Sequence, residues 1–403
     1  MPPIHIWQEE ASEINGFITV SVTIEQPNQT KSHLWYRLPS QYTSLLTNSC
    51  DPFVVATIFL AMQQGTDLIV HGEVSPSLLQ NLAEFQAAWH CWRPQLYQQI
   101  EITADVEREQ DKIDSDQAIA AFSGGVDASF TMWRHRMKRC SRWQRNIQAG
   151  LIIHGFDIPL TQQEIFNRAF HKSREMLTSL DVELIPIATN FRELPQDWED
   201  AFGTAIASCL MLLQGGYNTG LIGSSDPYHS LNLPYGSNPI TDSLLSSNTF
   251  QIICDGSAFT RLQKVEEIAN WEQACTNLRV CWQNSQSDKN CGRCEKCIRT
   301  ILNFRVMGVG LPPCFAEDVT ERQISEIRGL KKAQLIELEP ILETAKARGI
   351  TEGWVNALEK CIASNQRQAW LEEYRANLKK SFPQKLRSHL QKLRSTLTRV
   401  SKG

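Results

Sequence analysis

The chain has 403 residues and a formal net charge of −4, with 42% hydrophobic and 21% charged residues, which favours a soluble protein of two or three domains with sizeable cores. Its longest apolar stretch, Phe53 to Met62, is about half of the roughly 20 residues that cross a bilayer, so no transmembrane segment is expected.

Residues 1–112 predict an N-terminal α/β domain. Its second helix carries Trp89, His90 and Trp92, which we interpret as core rather than as a platform for a nucleobase, because aromatic clusters on helices are mostly buried. A polar stretch at 107–117 predicts a linker. The predicted elements are strands at 16–25 and 33–38, a helix at 52–63, a strand at 67–74, a helix at 76–92 and a strand at 98–107.

The next segment, AIAAFSGGVDASFTMWRHRM at 118–137, has the layout of a phosphate-binding turn. An apolar strand leads into Ser123, Gly124 and Gly125, and a stretch compatible with a helix follows. The small residues let backbone N–H groups converge on an anion, and the positive end of the helix dipole adds to that attraction. The alternative is a glycine turn between an ordinary strand and helix, because a short motif alone does not distinguish the two.

From residue 118 onward, strands and helices alternate, which predicts a parallel sheet with helices on both faces. Ligands of such sheets collect at the carboxyl ends of the strands. Ser123 and Asp127 are the candidate catalytic residues, and Asp127 either positions a magnesium ion or caps the following helix. We expect strands at 118–122, 149–154, 182–187, 219–223 and 250–254, and helices at 128–138, 162–179, 199–213 and 260–270. The candidate nucleotide-binding residues are Ser123, Gly124, Gly125, Val126, Asp127, Ser129, His154, Asp157, Gly223, Ser224 and Ser225.

Four cysteines in CWQNSQSDKNCGRCEKC predict a metal site, namely Cys281, Cys291, Cys294 and Cys297. Two overlapping CxxC turns bring three sulfurs around one centre, and the fourth completes the tetrahedron that structural zinc prefers. Disulfides are disfavoured because the chain opens without an apolar signal segment, which favours a reducing cytoplasm. An iron–sulfur cluster also takes four Cys ligands and stays open as the alternative. The charge of the thiolates would be offset by Lys289, Arg293 and Lys296.

The sequence SGGVD after a strand resembles the PP-loop of the ATP pyrophosphatase superfamily. Together with the C-x9-CGxCxKC cluster downstream, it resembles the 7-cyano-7-deazaguanine synthase family over residues 118–307. Phe156 and Asp157, after the second strand, match the family's Phe-Asp pair. The chain departs from the pattern at Ala128, where the superfamily has Ser, and in the substrate-side segments after Asp157 and Asp226.

This resemblance implies a doubly wound parallel sheet of the PP-loop type, in which the loop holds ATP with Mg2+ and the four Cys hold Zn2+ beside the active site. It implies a ligase that adenylates a small-molecule carboxylate, releases pyrophosphate and then forms a carbon–nitrogen bond, with a deazaguanine derivative as substrate and a homodimer as assembly. Two alternatives stay open. One is a PP-loop enzyme that modifies tRNA or a protein terminus, and the other is a non-catalytic nucleotide-binding module.

The nucleotide-binding domain is predicted to span 118–310, and a helical C-terminal region is predicted at 317–403. Charge is uneven in that last region. After Glu373 there are nine Lys or Arg residues and no acidic residue, whereas residues 1–373 contain 31 Lys or Arg against 44 acidic residues. This basic tail is either an amphipathic helix that docks on the acidic body or a binding segment for RNA or a protein partner.

Overall fold

The computed structural model describes residues 2–113, 116–281 and 288–381. These residues form an α/β fold, as predicted, built on one large sheet that is mixed and mostly parallel. The strands are β1 (Ile4–Gln8), β2 (Ser12–Ile14), β3 (Phe17–Glu25), β4 (Lys31–Pro39), β5 (Leu68–Val74), β6 (Ile102–Glu107), β7 (Ala118–Ala121), β8 (Ile147–His154), β9 (Glu183–Thr189), β10 (Thr219–Gly223) and β11 (Gln251–Asp255). The helices are α1 (Asp51–Gln64), α2 (Pro76–Trp92), α3 (Val126–Arg136), α4 (Gln163–Thr178), α5 (Trp198–Met211), α6 (Arg261–Ile268), α7 (Glu272–Asn277), α8 (Glu295–Val306), α9 (Glu321–Ser325), α10 (Lys332–Ala347) and α11 (Gly353–Ser381).

The strand order is β11-β10-β7-β8-β9-β4-β3-β1-β5-β6, with β2 paired to β3. The strands from β11 to β9 are mutually parallel, and so are β1, β5 and β6. The hairpin of β3 and β4 lies between these two blocks and pairs antiparallel with its neighbours. The sheet is therefore mixed because a short hairpin, which can only be antiparallel, connects two parallel blocks.

The sheet is continuous across the boundary that the sequence suggested between 1–112 and 118–310. β4 pairs with β9 through Tyr36 opposite Thr189, and the Tyr36 hydroxyl lies 2.9 Å from Ser208 Oγ on α5. α1 packs against α5, and its side chains from Asp51 to Met62 are buried. The two segments consequently share one hydrophobic core and one compact unit, Met1–Asp318.

A second compact unit spans Val319–Gly403, and its described helices are α9, α10 and α11. In it, α11 packs against both α9 and α10. The sequence also predicts a break of the last helix at Pro383, and this position and the rest of the basic run from residue 382 onward lie outside the described residues. Within the described part of the chain, no helix combines the length and the apolar character that a membrane span requires.

Candidate functional site

The glycine loop, defined as Ser123–Gly125, connects β7 to α3 at the carboxyl edge of the parallel strands. Gly124 has φ +74°, a left-handed conformation that glycine adopts without strain. Gly125 is the N-cap of α3 and donates its N–H to Ser123 Oγ over 3.3 Å. The first amides of a helix lack intrahelical acceptors, so the start of α3 presents N–H donors and a positive dipole end beside the loop.

A cavity of about 330 Å³ opens beside the glycine loop, at the ends of β7, β8 and β10. Its lining includes Ser123 and Gly125 of the loop and three cationic side chains, Arg261, Arg279 and Lys296. It also includes apolar side chains, namely Leu151, Ile153, Phe156, Trp198, Phe202 and Ile206. The cavity therefore combines cationic groups with apolar and aromatic surface.

Asp127, in the first turn of α3, is held by two cations from α6. Its Oδ2 lies 3.0 Å from Arg261 Nη2, and its Oδ1 lies 3.1 Å from Lys264 Nζ. Burial opposes ionisation of this carboxyl, but the charges of Arg261 and Lys264 outweigh burial and hold the pKa of Asp127 below its usual range. Asp127 is therefore a carboxylate with a fixed orientation, and each oxygen retains a further lone pair for another ligand.

Arg279 covers the glycine loop. Its backbone N–H donates to the carbonyl oxygen of Gly124 over 2.8 Å, and its Nε donates to the carbonyl oxygen of Ser123 over 3.2 Å. Its Nη1 forms an ion pair of 2.6 Å with Asp157 Oδ2, which lies after β8. The Arg279 side chain is buried except for 7% of its surface, so its position is fixed from both sides of the cavity.

Lys296, in the first turn of α8, contributes a third positive charge to the cavity. Burial, followed by the charge of Arg261, lowers the pKa of Lys296. Among the described residues, no hydrogen bond or ion pair within 4 Å engages its ammonium group. The carboxylates of Asp127 and Glu295 offset part of this shift, and an anionic ligand beside the ammonium group would further relieve the desolvation and the repulsion.

Of the candidate nucleotide-binding residues, seven line the cavity, Gly124 supports the loop, and three lie elsewhere. Those that line the cavity are Ser123, Gly125, Val126, Asp127, Asp157, Gly223 and Ser225. Gly124 supports the loop from behind, where an added Cβ would lie 3.1 Å from Ser173 Oγ. Gly223 permits a close approach of β10 to α3, because a Cβ there would lie 2.8 Å from the carbonyl carbon of Asp127.

The other three candidates point away from the cavity. The His154 ring stacks on Phe166, and its Nε2 lies 3.0 Å from the carbonyl oxygen of Pro159. The Ser129 hydroxyl is buried, whereas Ala128 lines the cavity. Ser224 donates its hydroxyl to the carbonyl oxygen of Asp226 over 2.9 Å, and its own carbonyl accepts from Lys264 Nζ.

Sequence reasoning missed Arg279, Lys264, Trp198 and Phe202 as residues of this site, and it assigned Lys296 to the thiolates rather than to the cavity. These residues belong to α5, α6, α8 and the segment before Cys281, far from the glycine loop along the chain. One signal was available, since Arg279 and Lys296 lie within two residues of predicted metal ligands.

The four predicted cysteines come together at the start of α8, and their sulfur atoms all lie within 4.8 Å of one another. Cys281 Sγ lies 3.8 Å from Cys294 Sγ, and Cys291 Sγ lies 3.8 Å from Cys297 Sγ. Zinc–sulfur bonds of about 2.3 Å place the sulfurs of a regular tetrahedron about 3.8 Å apart. The donor set therefore fits a single metal ion such as zinc, whereas a cluster with thiolates on separate irons would spread the sulfurs further.

The loop that carries the cysteines has the backbone of a metal-binding turn. The N–H groups of Arg293 and Cys294 donate to Cys291 Sγ over 3.4 and 3.3 Å, and Gly292, which follows Cys291, has φ +68°. A hydrogen bond between the Cys294 and Cys297 side chains is the main cause that lowers the pKa of Cys294 and raises the pKa of Cys297. Donors of this kind stabilise thiolates and set their direction.

Asn290 attaches this loop to the rest of the unit. Its Oδ1 accepts the N–H groups of Val280 (2.9 Å) and Cys281 (3.2 Å). Its Nδ2 donates to the carbonyl oxygens of Leu278 (2.8 Å) and Cys314 (3.1 Å). One side chain therefore fixes the position of the first metal ligand relative to the other three.

We compared the chain with models of protein families, with curated proteins and with solved structures, and none of them matches it.

Proposed function

We propose that this chain is an ATP-dependent adenylating enzyme of the PP-loop type, which transfers AMP from ATP to a carboxylate and releases pyrophosphate. The observation that carries the proposal is the convergence of the glycine loop, the start of α3, Arg279 and Lys296 on one cavity. Backbone donors and fixed cations around a single space are the features that bind a polyphosphate and stabilise its developing charge.

The strand order supports the same proposal. In the parallel block, β7 is the first strand along the chain. The strands β8 and β9 follow on one side of β7, and β10 and β11 then follow on its other side. The cavity lies where the direction reverses, between β7 and β10, and nucleotides bind at such switch points in doubly wound sheets. A doubly wound PP-loop fold for residues 118–310 is therefore part of the proposal.

The reaction requires alignment and charge neutralisation rather than a strong base. A carboxylate oxygen of the acceptor attacks the α-phosphorus, and the bond from that phosphorus to the bridging oxygen of pyrophosphate breaks. Arg279, Lys296 and the amides of the glycine loop neutralise the leaving pyrophosphate, and Asp127 is the candidate to hold magnesium on the phosphates. Ammonia then attacks the acyl carbon, AMP leaves, and an amide with a new carbon–nitrogen bond is formed.

The aromatic lining of the cavity favours a flat acceptor. Phe156 and Trp198 have ring centroids 5.1 Å apart at an interplanar angle of 62°, and Phe202 also lines the cavity. Such aromatic faces and edges suit a heteroaromatic carboxylate as acceptor, and a deazaguanine derivative is the candidate that the resemblance implies.

The Cys cluster has a positioning role in this proposal. When zinc is bound, it supplies a rigid tetrahedral centre for Cys281, Cys291, Cys294 and Cys297. Arg279 precedes the first ligand by two residues, and Lys296 lies between the last two ligands. The cluster consequently orients two of the cations that line the cavity.

One observation favours a second candidate, a non-catalytic nucleotide-binding module. Ala128 faces the cavity where the PP-loop pattern has Ser, and the neighbouring Ser129 hydroxyl is buried. A hydroxyl that would contact a phosphate is therefore replaced by a methyl group. Such a module would bind ATP without releasing pyrophosphate.

Product analysis distinguishes the two candidates. The full chain is incubated with ATP, magnesium, ammonium and 7-carboxy-7-deazaguanine, and nucleotides are separated by chromatography. We expect AMP and pyrophosphate in equal amounts, and loss of both in Gly125→Val, since a Cβ at Gly125 already lies 3.3 Å from Ser123 Oγ and a larger side chain crowds the loop. Production of ADP contradicts the proposal, and ATP binding without turnover with any of a panel of carboxylates supports the second candidate.

A further inference from the structure

A strongly basic surface lies at the end of α3 opposite to the glycine loop. The segment from Arg134 to Arg145, RHRMKRCSRWQR, contains no acidic residue, although the whole chain is acidic. We define the basic surface as the five cationic side chains of this segment that are not buried, Arg136, Lys138, Arg139, Arg142 and Arg145.

Part of this charge is used within the fold. Arg134 is buried against Asp255 at 3.2 Å, Arg139 pairs with Glu267 at 2.5 Å, and Arg136 donates to the carbonyl oxygens of Leu180 and Asp181. Hydrogen bonds to carbonyl groups do not neutralise a guanidinium, so Arg136 keeps its full charge.

Lys138 and Arg142 have no such structural role among the described residues. Both are exposed, and neither forms a hydrogen bond or an ion pair with its side chain among the described residues. Cations in the last turn of a helix compensate its dipole, which accounts for Arg134 and Arg136. Lys138 and Arg142 lie beyond the last residue of α3, so this role does not account for their positive charge.

Trp143 provides an aromatic face within the same surface. Its side chain is 49% exposed, yet its Nε1 donates to Asp255 Oδ1 over 3.3 Å, which fixes the ring against the fold. The guanidinium carbon of Arg145 lies 5.0 Å from the ring centroid. Trp143 therefore provides a fixed, half-exposed indole beside cationic side chains, and an unstacked base can stack on such a ring.

We propose that this surface binds single-stranded nucleic acid. Lys138, Arg142 and Arg145 would contact successive phosphates, while an unstacked base would stack on Trp143. Proteins that bind single strands without sequence preference combine these two features, a cationic track and aromatic platforms. A duplex fits less well because its bases are not available to the indole ring.

The surface is separate from the cavity and does not depend on the proposed adenylation. α3 has 11 residues, which at 1.5 Å per residue separates its two ends by about 16 Å. A strand on the basic surface and ATP at the glycine loop therefore occupy opposite ends of α3, and the two ligands should bind together rather than compete.

Fluorescence anisotropy with the full chain and a labelled oligouridylate of about 12 nucleotides tests the proposal. Neutralisation in Lys138→Gln/Arg142→Gln should weaken binding about tenfold at low salt and reduce the slope of log K against log salt by about 1.4, as expected for two lost phosphate contacts. The matched control is Lys332→Gln/Lys360→Gln, which removes two exposed charges from the other unit and should change affinity less than twofold.

A second pair of variants separates stacking from folding. Trp143→Ala should weaken binding about tenfold, whereas Trp143→Phe, which keeps an aromatic face but lacks the hydrogen bond to Asp255, should retain most of the affinity. Equal binding by the double variant and the wild type would assign the interaction to another part of the chain and overturn the proposal. Tighter binding to vesicles with anionic lipids or to polyglutamate than to the oligonucleotide would overturn it as well, and so would displacement of the oligonucleotide by ATP.

Discussion

The backbone N–H of Arg279 donates to the carbonyl oxygen of Gly124 over 2.8 Å, which joins the segment that leads into the Cys cluster to the centre of the glycine loop. The glycine loop and the segment that precedes Cys281 are therefore in direct contact, although 155 residues separate Gly124 from Arg279 in the chain. Because the contact runs through the backbone, it does not require the Arg279 side chain, whereas a side chain at Gly124 would strain the loop at its φ of +74°. A change in the Cys cluster should consequently alter the conformation of the glycine loop.

The first prediction follows from this contact. Cys294→Ser should lose the bound zinc, of which we expect one ion per chain, and should lower both the melting temperature and the affinity for ATP, since the binding free energy of a structural zinc ion contributes directly to folding. Cys91→Ser, which changes an exposed cysteine outside the cluster, is the control and should alter neither. Elemental analysis and thermal melting check both variants. Iron with visible charge-transfer absorption would contradict the assignment of zinc.

Asn290→Ala should destabilise the unit Met1–Asp318 by about 2–4 kcal/mol, because it leaves two buried N–H groups and two carbonyl groups without partners. Zinc should also be released at a lower chelator concentration than from the wild type. Denaturant unfolding and chelator titration measure the two effects, with the exposed Asn167→Ala as control. Unchanged zinc retention would show that the cysteines alone define the site.

Gly223→Ala should impair nucleotide binding with little change elsewhere. The added Cβ would lie 2.8 Å from the carbonyl carbon of Asp127 and 3.0 Å from the amide nitrogen of Ala128, so the start of α3 must move. We expect a loss of ATP affinity of tenfold or more while the zinc content stays at that of the wild type. An affinity equal to that of the wild type would mean that the start of α3 does not contact the nucleotide.

Asp242 predicts a pH dependence of stability. This carboxyl lies in the connection between β10 and β11, and burial raises its pKa to about 6, although it accepts hydrogen bonds from Ser237 Oγ (2.7 Å) and the Asn238 N–H (3.0 Å). The folded state therefore binds this proton more tightly than the unfolded state, whose pKa is near 3.8. The resulting stability is fully present below the unfolded pKa and is lost as the pH rises through about 6.

Asp242→Asn cannot ionise and should lack this dependence. Between about pH 4 and pH 7, the wild type should lose about 3 kcal/mol of unfolding free energy relative to the variant, which is the value of two pKa units. Denaturant unfolding at several pH values measures the difference, and the exposed Asp111→Asn serves as control. Parallel pH profiles for the wild type and Asp242→Asn would contradict the shifted pKa.

Local patterns predicted the parts of the site that are continuous in sequence. The strand, glycine loop and helix around SGGVD are found with β7 ending one residue earlier and α3 beginning two residues earlier than expected. The Cys cluster was likewise readable, because three of its four ligands lie within seven residues. In both segments, short-range steric and ligand-spacing constraints are sufficient to specify the arrangement.

The rest depends on contacts between distant segments. The pairing of β4 with β9 joins the N-terminal strands to the parallel block. Any exposed strand edge could form hydrogen bonds with the same backbone groups, so the sequence of β4 does not predict which strand it pairs with. The cations Arg279 and Lys296 reach the cavity only because the Cys cluster folds back on the glycine loop. His154 was selected by its position at the end of β8, but its ring faces Phe166.

Binding of ATP to the cavity is the central claim, and titration calorimetry with magnesium and a non-hydrolysable ATP analogue tests it most directly, because it requires no knowledge of the acceptor. We compare the wild type with Lys296→Gln, which removes a charge from the cavity, and with Lys332→Gln, which removes one from the exposed start of α10. Zinc content is measured in all three, since Lys296 lies between two cysteine ligands. We predict one nucleotide per chain, an affinity at least tenfold lower in Lys296→Gln with zinc retained, and an unchanged affinity in Lys332→Gln. Absence of binding to the wild type, or equal affinity in all three proteins, would contradict the account.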